Sequence, residues 1–295
     1  MKLCTFRVGG QVSYGVLARD GRILDLRARV GSKHPDLLSV LRGDGWELVR
    51  RIAGDASKGD YIEDQIEFLP ILNGDIAIHC IGLNYPAHIA ESERSAPGFP
   101  RTFFKIPAAL VGHGQSYEMP SLSEQFDFEG ELAVVIGKAA RCVAADDALE
   151  HVCGYTCFMD GSVRDWQLGR TLDQGKNFYR SSSIGPYLTT RDEVGPIESL
   201  AMTTKVNGEP MQHTSFDKMI FSVAELIEYI SAFTELRVGD VIATGTPEGV
   251  GHRRKPPRFL RPGDRVEIAI ERVGTLVNPV AKNAHYEDTW QPIVP

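Results

Sequence analysis

Alternation between apolar and polar positions is the main structural signal in this chain. The run 124–138, EQFDFEGELAVVIGK, begins with acids at alternate positions and ends as a continuous apolar strand. Successive side chains of a strand point to opposite faces. Asp127, Glu129 and Glu131 are therefore predicted to share one face, and Phe126, Phe128 and Leu132 the other. Two carboxylates about 6–7 Å apart repel by roughly 2–3 kcal/mol at an effective dielectric of about 20. A positive partner, a raised pKa or full hydration must relieve that repulsion. A divalent cation is the simplest partner. The alternative is a strand entering from a solvated loop, with its acids in water.

Around this run the pattern predicts many short strands and few helices. Residues 1–70 read as a small β-rich domain. Its strands are expected at 3–8, 11–18 and 22–26, separated by the hairpin signals Gly9-Gly10 and Asp20-Gly21, with short helices at 36–41 and 47–53. A larger domain, 71–295, opens with a buried strand at 76–81. Pro86 suits the first turn of a helix running to about residue 93, which places His88 and Glu91 on one face. A strand at 101–105 carries Lys105, and a buried strand at 154–161 delivers Asp160 at its end. Asp146 is expected to cap a short helix at 147–152. Asn207-Gly208 marks a hairpin, and Ser222 with Glu225 forms a capping box. The helix that follows should bury Leu226, Ile227, Ile230 and Phe233. The glycine-rich run 245–251 reads as an anion-binding nest or as a tight turn. The basic segment 252–261 reads as a solvated loop, and 265–271 as the last strong strand. The class is α+β and β-dominated.

Composition narrows the function. A length of 295 residues suits one large domain with an appendage. A hydrophobic content of 42% and a charged content of 24% suit a water-soluble globular protein. The net charge of −7 argues against nucleic acid as partner. No apolar run approaches the roughly 18 residues that would cross a membrane. The start, MKLCTFRVGG, lacks the apolar stretch of a secretory signal. The five cysteines are odd in number and none form CxxC. Cys153 and Cys157 lack a second pair to complete a zinc site. Reduced cysteines and a cytoplasmic location are expected.

Glu129, Glu131 and Asp160 bring three carboxylates from two predicted strands. An all-oxygen set suits a hard cation, Mg²⁺ foremost, with Mn²⁺ or Ca²⁺ also compatible. Three protein ligands leave positions open for water and substrate. Lys105, Lys176, the His88–Glu91 pair and the glycine-rich run complete a set suited to a substrate that chelates through a carboxylate and an adjacent oxo group.

These residues bring a known family into view. GLNYPAH at 82–88, FFK at 103–105, DFEGELAVVIGK at 127–138, GYTCFMDGSVRDWQ at 154–167, GKNF at 175–178 and LRVGDVIATGTPEGVG at 236–251 occur in this order. In these stretches the chain resembles the fumarylacetoacetate hydrolase family, from about residue 76 to about 280. The resemblance implies a mixed β-sandwich roll, with residues 1–70 as the N-terminal extension of longer bacterial members, and a homodimer. It implies Glu129, Glu131 and Asp160 as metal ligands, and His88 with Glu91 as a lid dyad that activates water, Glu248 being a rival partner for His88. Lys176 is implied beside the substrate, with Arg164, Gln167, Thr246 and Lys105 lining its pocket. The activity it implies first is Mg²⁺-dependent hydrolysis of a C–C bond in an acylpyruvate, in the setting of aromatic-compound catabolism. Decarboxylation of an oxaloacetate-type 2-oxo diacid, or isomerisation of a 2-hydroxy-dienoate, is the alternative on the same scaffold. A non-catalytic metal-binding protein is the remaining contrast.

Overall fold

The apolar run near the middle of the chain becomes the centre of a large sheet. The computed structural model describes residues 1–283, so the last residues of the expected 71–295 domain lie outside the described part. In strand Gly130–Ile136 all seven residues are buried, because neighbouring layers cover both faces. Removing Val, Leu and Ile side chains from water contributes roughly 1.5–3 kcal/mol each, which makes this strand a strong organiser. The predicted single strand breaks before it. Phe126–Asp127 pairs with Ser162–Val163, whereas Gly130–Ile136 pairs with Val152–Met159. At the break, a Cβ on Gly130 would lie 2.0 Å from Thr204 Oγ1, so any larger residue there would force the Thr204 side chain to move.

The main sheet has 11 strands among the described residues. Nine of them form one path, Ile23–Asp25, Gln11–Leu17, Lys2–Val8, Ser182–Thr190, Val152–Met159, Gly130–Ile136, Val241–Ala243, Ile78–Gly82 and Arg101–Phe104, while Glu67–Phe68 pairs with Lys2–Val8 and Leu110–Val111 with Ser182–Thr190 off that path. Most neighbours are antiparallel; Val241–Ala243 and Ile78–Gly82 run parallel. A second sheet of five strands contains Glu209–Ser215, Ala201–Val206, Arg265–Ile270, Gly274–Lys282 and Tyr117–Met119. The main apolar core fills the space around both, joining Leu132, Val134 and Ile136 to Val206, Ile268 and Leu276. This is a mixed, strand-dominated α+β fold.

Several local expectations are met. Asn207 and Gly208 both take positive φ, as a tight hairpin requires. Ser222 and Glu225 form the reciprocal capping box of helix Val223–Phe233. Residues 1–70 pack on the rest of the chain: Lys2–Val8 pairs with Ser182–Thr190, and Leu3 lies in the same apolar cluster as Ala133 and Ile184. Other expectations change. Ala144, and not Asp146, stands at the N-cap of Ala145–Ala148. Phe233 is exposed, against the predicted stripe, because the helix ends there and the ring lies beside Tyr229. Strand Gly274–Lys282 follows the strand expected to be last; it pairs with Arg265–Ile270 across a short turn.

Candidate active site

Sheet register brings the three candidate ligands together. Gly130 stands opposite Met159, so Glu129 and Glu131 flank the point where the neighbouring strand ends and Asp160 begins. The Asp160 amide extends the ladder, donating to the Glu129 carbonyl at 2.9 Å. One ligating oxygen from each of Glu129, Glu131 and Asp160 lies within 4.8 Å of the others. All three side chains are buried.

Basic groups surround this cluster unevenly. Lys176 Nζ lies 2.5 Å from Glu129 Oε2 and 2.7 Å from Asp160 Oδ2. Lys105 Nζ touches Asp160 Oδ1 and donates to Ser182 Oγ at 2.7 Å. Arg164 Nη2 contacts Glu129 Oε1 and Asp127 Oδ2, each at 2.7 Å. Burial works to raise Glu129, but Lys176 and Arg164 outweigh it and hold that carboxyl at about 2. Glu131 differs. Burial, and then the charges of Asp160 and Glu129, push it well above the ordinary carboxylate range. Its Oε2 accepts the Gly245 amide at 2.9 Å, and no ion pair reaches it among the described residues. A buried all-oxygen cluster with one carboxylate left uncompensated fits a hard divalent cation. Lys176, an ammonium seated between two of the acids, already shows the pull of this cluster on positive charge.

The glycine-rich run 245–251, expected as an anion-binding nest or a tight turn, does bind anions through its amides, but the anions are the protein's own. Gly245 donates to Glu131, Gly249 to Glu91 Oε2 at 3.0 Å, and Gly251 to Asp127 Oδ1 at 2.8 Å. His252 adds its amide to Asp127 Oδ2 at 2.9 Å. One loop thus positions a candidate ligand, the dyad acid and the anchor of Arg164. Close packing explains two of its glycines. A Cβ on Gly249 would meet the Met211 carbonyl at 2.2 Å, and one on Gly251 the Arg258 carbonyl at 1.9 Å. The segment 252–261 is correspondingly less solvated than expected. Leu260 is fully buried, and His252 and Arg253 line the cavity beside the acids.

Helix Pro86–Glu91 carries the proton-handling pair, with proline in its first turn. His88 Nδ1 lies 2.8 Å from Glu91 Oε1, so Glu91, and not Glu248, is its partner. A carboxylate only accepts, so Nδ1 carries the hydrogen and Nε2 the lone pair. His88, Glu129, Arg164, Gln167, Lys176 and Thr246 line one cavity of about 140 Å³. Gln167 accepts from Arg164 Nη1 at 2.9 Å. The Thr246 hydroxyl is engaged internally: it donates to the Gly130 carbonyl and accepts from Gln212 Nε2. Lys105 lies beneath the acids and is absent from that lining; strand Arg101–Phe104 brings it there from the sheet edge. Gln212 was missed, since a lone polar residue in a strand carries no distinguishing pattern. A larger cavity of about 820 Å³ opens beside Trp46 and Cys153. The convergent carboxylates lie at the smaller one, and the chemistry is assigned there.

No helix among the described residues is long and apolar enough to cross a membrane. The family model described as fumarylacetoacetate (FAA) hydrolase C-terminal matches residues 77–281. Oxaloacetate tautomerase YisK of Bacillus subtilis (strain 168) is 43% identical, covering 95% of this chain and 100% of that protein. The fumarylacetoacetate hydrolase of Exiguobacterium antarcticum superposes with a TM-score of 0.81 at 32% identity, over 96% of this chain and 100% of its own. Maleylpyruvate hydrolase of Sphingobium sp. SYK-6, solved with manganese (II) ion and pyruvate, superposes with a TM-score of 0.80 at 28% identity, with the same coverage. On the family match, the shared fold and the register that gathers Glu129, Glu131 and Asp160, this chain belongs to the fumarylacetoacetate hydrolase family.

Proposed function

We propose that the chain is an enzyme that interconverts the keto and enol forms of a small 2-oxo diacid of the oxaloacetate type, with Mg²⁺ or Mn²⁺ held by Glu129, Glu131 and Asp160. The observation that carries this reading is the buried cluster in which Glu131 has no ion pair among the described residues, beside a cavity lined by His88 and Lys176. The likeness to a bacterial oxaloacetate tautomerase across nearly the whole chain supports it over the C–C hydrolase expected first. A divalent cation held by Glu129, Glu131 and Asp160 would supply Lewis-acid polarisation of a bound 2-oxo acid. His88 Nε2 takes the proton from the carbon beside the 2-oxo group, or returns it in the reverse direction. Glu91 holds the imidazole in the tautomer that leaves Nε2 basic, and Gly249 holds Glu91. Lys176 places a positive charge where negative charge develops on the substrate oxygen.

The test follows the enol absorbance of oxaloacetate with and without added metal, for the wild type and Glu129→Gln. Metal-dependent acceleration that the variant lacks is the expected result. Equal rates with and without enzyme overturn the proposal.

Hydrolysis of an acylpyruvate is the second reading. The His88–Glu91 pair favours it, because the same Nε2 is placed to deprotonate water. Release of pyruvate from acetylpyruvate or fumarylpyruvate distinguishes it.

A further inference from the structure

We propose that Arg101 and Arg94 bind the far carboxylate of the substrate and select a diacid over a mono-acid; this rests on the 2-oxo-acid reading above. Both line the cavity that holds His88 and Lys176, and both are exposed. The cavity's basic groups fall into two sets. Arg164 and Lys176 are spent on Asp127, Glu129 and Asp160. Arg94 and Arg101 have no acidic partner among the described residues. Arg253 donates to the neutral carbonyl of Ser92 at 2.9 Å, and its charge is likewise unmatched. Guanidinium groups that have no acidic partner among the described residues, gathered at the mouth of one cavity, present a positive field there that suits an anionic group of the substrate.

Strand geometry places one of these groups. Arg101 and Phe103 share one face of the edge strand Arg101–Phe104, since alternate residues share a face, and Lys105 follows directly after the strand. Lys105 lies at the base, on Asp160, and Phe103 lies under the Lys176 ammonium, 5.3 Å from ring centroid to Nζ. Arg101 is next in this line, away from the base. A substrate whose 2-oxo acid end lies at the carboxylate cluster therefore extends its other end toward Arg101. A guanidinium fork suits a planar carboxylate there.

The same charges bear on the fate of that carboxylate. Decarboxylation breaks the C3–C4 bond, sends its electron pair to C3 and releases neutral CO₂, so C4 loses its charge. Tautomerisation breaks a C3–H bond, transfers that proton to the 2-oxo oxygen, and leaves the C4 carboxylate intact. Cations on the C4 carboxylate stabilise the starting anion more than the departing CO₂. Arg94 and Arg101 thereby favour tautomerisation over decarboxylation.

Binding is tested by calorimetry in the presence of Mg²⁺, with malate and with 2-hydroxybutyrate, which lacks the far carboxylate and does not react. Arg101→Gln and the double variant with Arg94→Gln should weaken malate binding about 10-fold to 100-fold, the range for losing a hydrogen bond to a charged group, and leave 2-hydroxybutyrate within about twofold. Arg101→Lys should recover part of the loss. Equal weakening of both ligands, or of neither, overturns the inference. With oxaloacetate, pyruvate formed per tautomerisation event should rise in the double variant; a ratio that is flat or lower overturns the charge argument. Arginine-dependent malate binding in a protein that does not accelerate oxaloacetate tautomerisation would sink the proposed reaction and support this subsite. Retained malate preference in the double variant of an active tautomerase would do the reverse.

Discussion

Replacing Glu131 by glutamine should stabilise the metal-free protein and abolish its response to metal. In the structure Asp127, Glu129, Glu131 and Asp160 face Lys105, Arg164 and Lys176, four acids against three bases, and Glu131 is the acid without an ion pair. Burial and the charges of Asp160 and Glu129 hold the Glu131 carboxyl well above its ordinary range, so folding must either protonate it or bury it charged; two like charges 4.8 Å apart would repel by roughly 3 kcal/mol at an effective dielectric of about 20, which sets the scale of that cost. Glutamine keeps the shape and can still accept the Gly245 amide, so that hydrogen bond survives. Allowing for relaxation, the net gain is about 1–3 kcal/mol, or roughly 2–5 °C in Tm for a protein of this size. Metal acts in the opposite direction. At a hundredfold excess over Kd, Mg²⁺ or Mn²⁺ stabilises the wild type by about 2.7 kcal/mol, while the variant has lost a ligand. Scanning calorimetry in EDTA and across a metal titration reads both effects. The variant should melt above the wild type in EDTA and stay put as metal is added, while the wild type climbs. A variant that melts lower in EDTA refutes the charge argument; one that climbs with the wild type removes Glu131 from the ligand set.

Other substitutions probe the surrounding parts. His88→Ala should lower turnover about 10²-fold to 10⁴-fold while the metal-induced rise in Tm persists, and a smaller fall would make His88 a packing residue. Asp127→Asn weakens the anchor of Arg164 and loosens the Gly251 and His252 amides. Urea unfolding should show a loss of roughly 3 kcal/mol, and an unshifted midpoint would deny Asp127 this structural part. Ser222→Ala removes the cap of helix Val223–Phe233 and should cost about 1 kcal/mol in the same assay with activity unchanged. Lost activity there would mean that the helix start reaches the site.

Local spacing determined the elements and the identity of the acids. Alternation set Glu129 and Glu131 on one face, Pro86 began the helix that pairs His88 with Glu91, and Ser222 with Glu225 capped the longest helix among the described residues. Each of these depends on residues two to four positions apart, within reach of a pattern. Tertiary structure decided which charges meet. Lys176 reaches Glu129 and Asp160 across 47 and 16 positions, and the loop amides reach Glu131 and Glu91 across 114 and 158. It also continued the main sheet into residues 1–70, through pairing of Lys2–Val8 with Ser182–Thr190. Coulomb attraction and hydrogen bonding depend on distance in space, which chain position alone does not supply. The sequence therefore named the acids, and only folding left Glu131 as the acid of the cluster without an ion pair among the described residues.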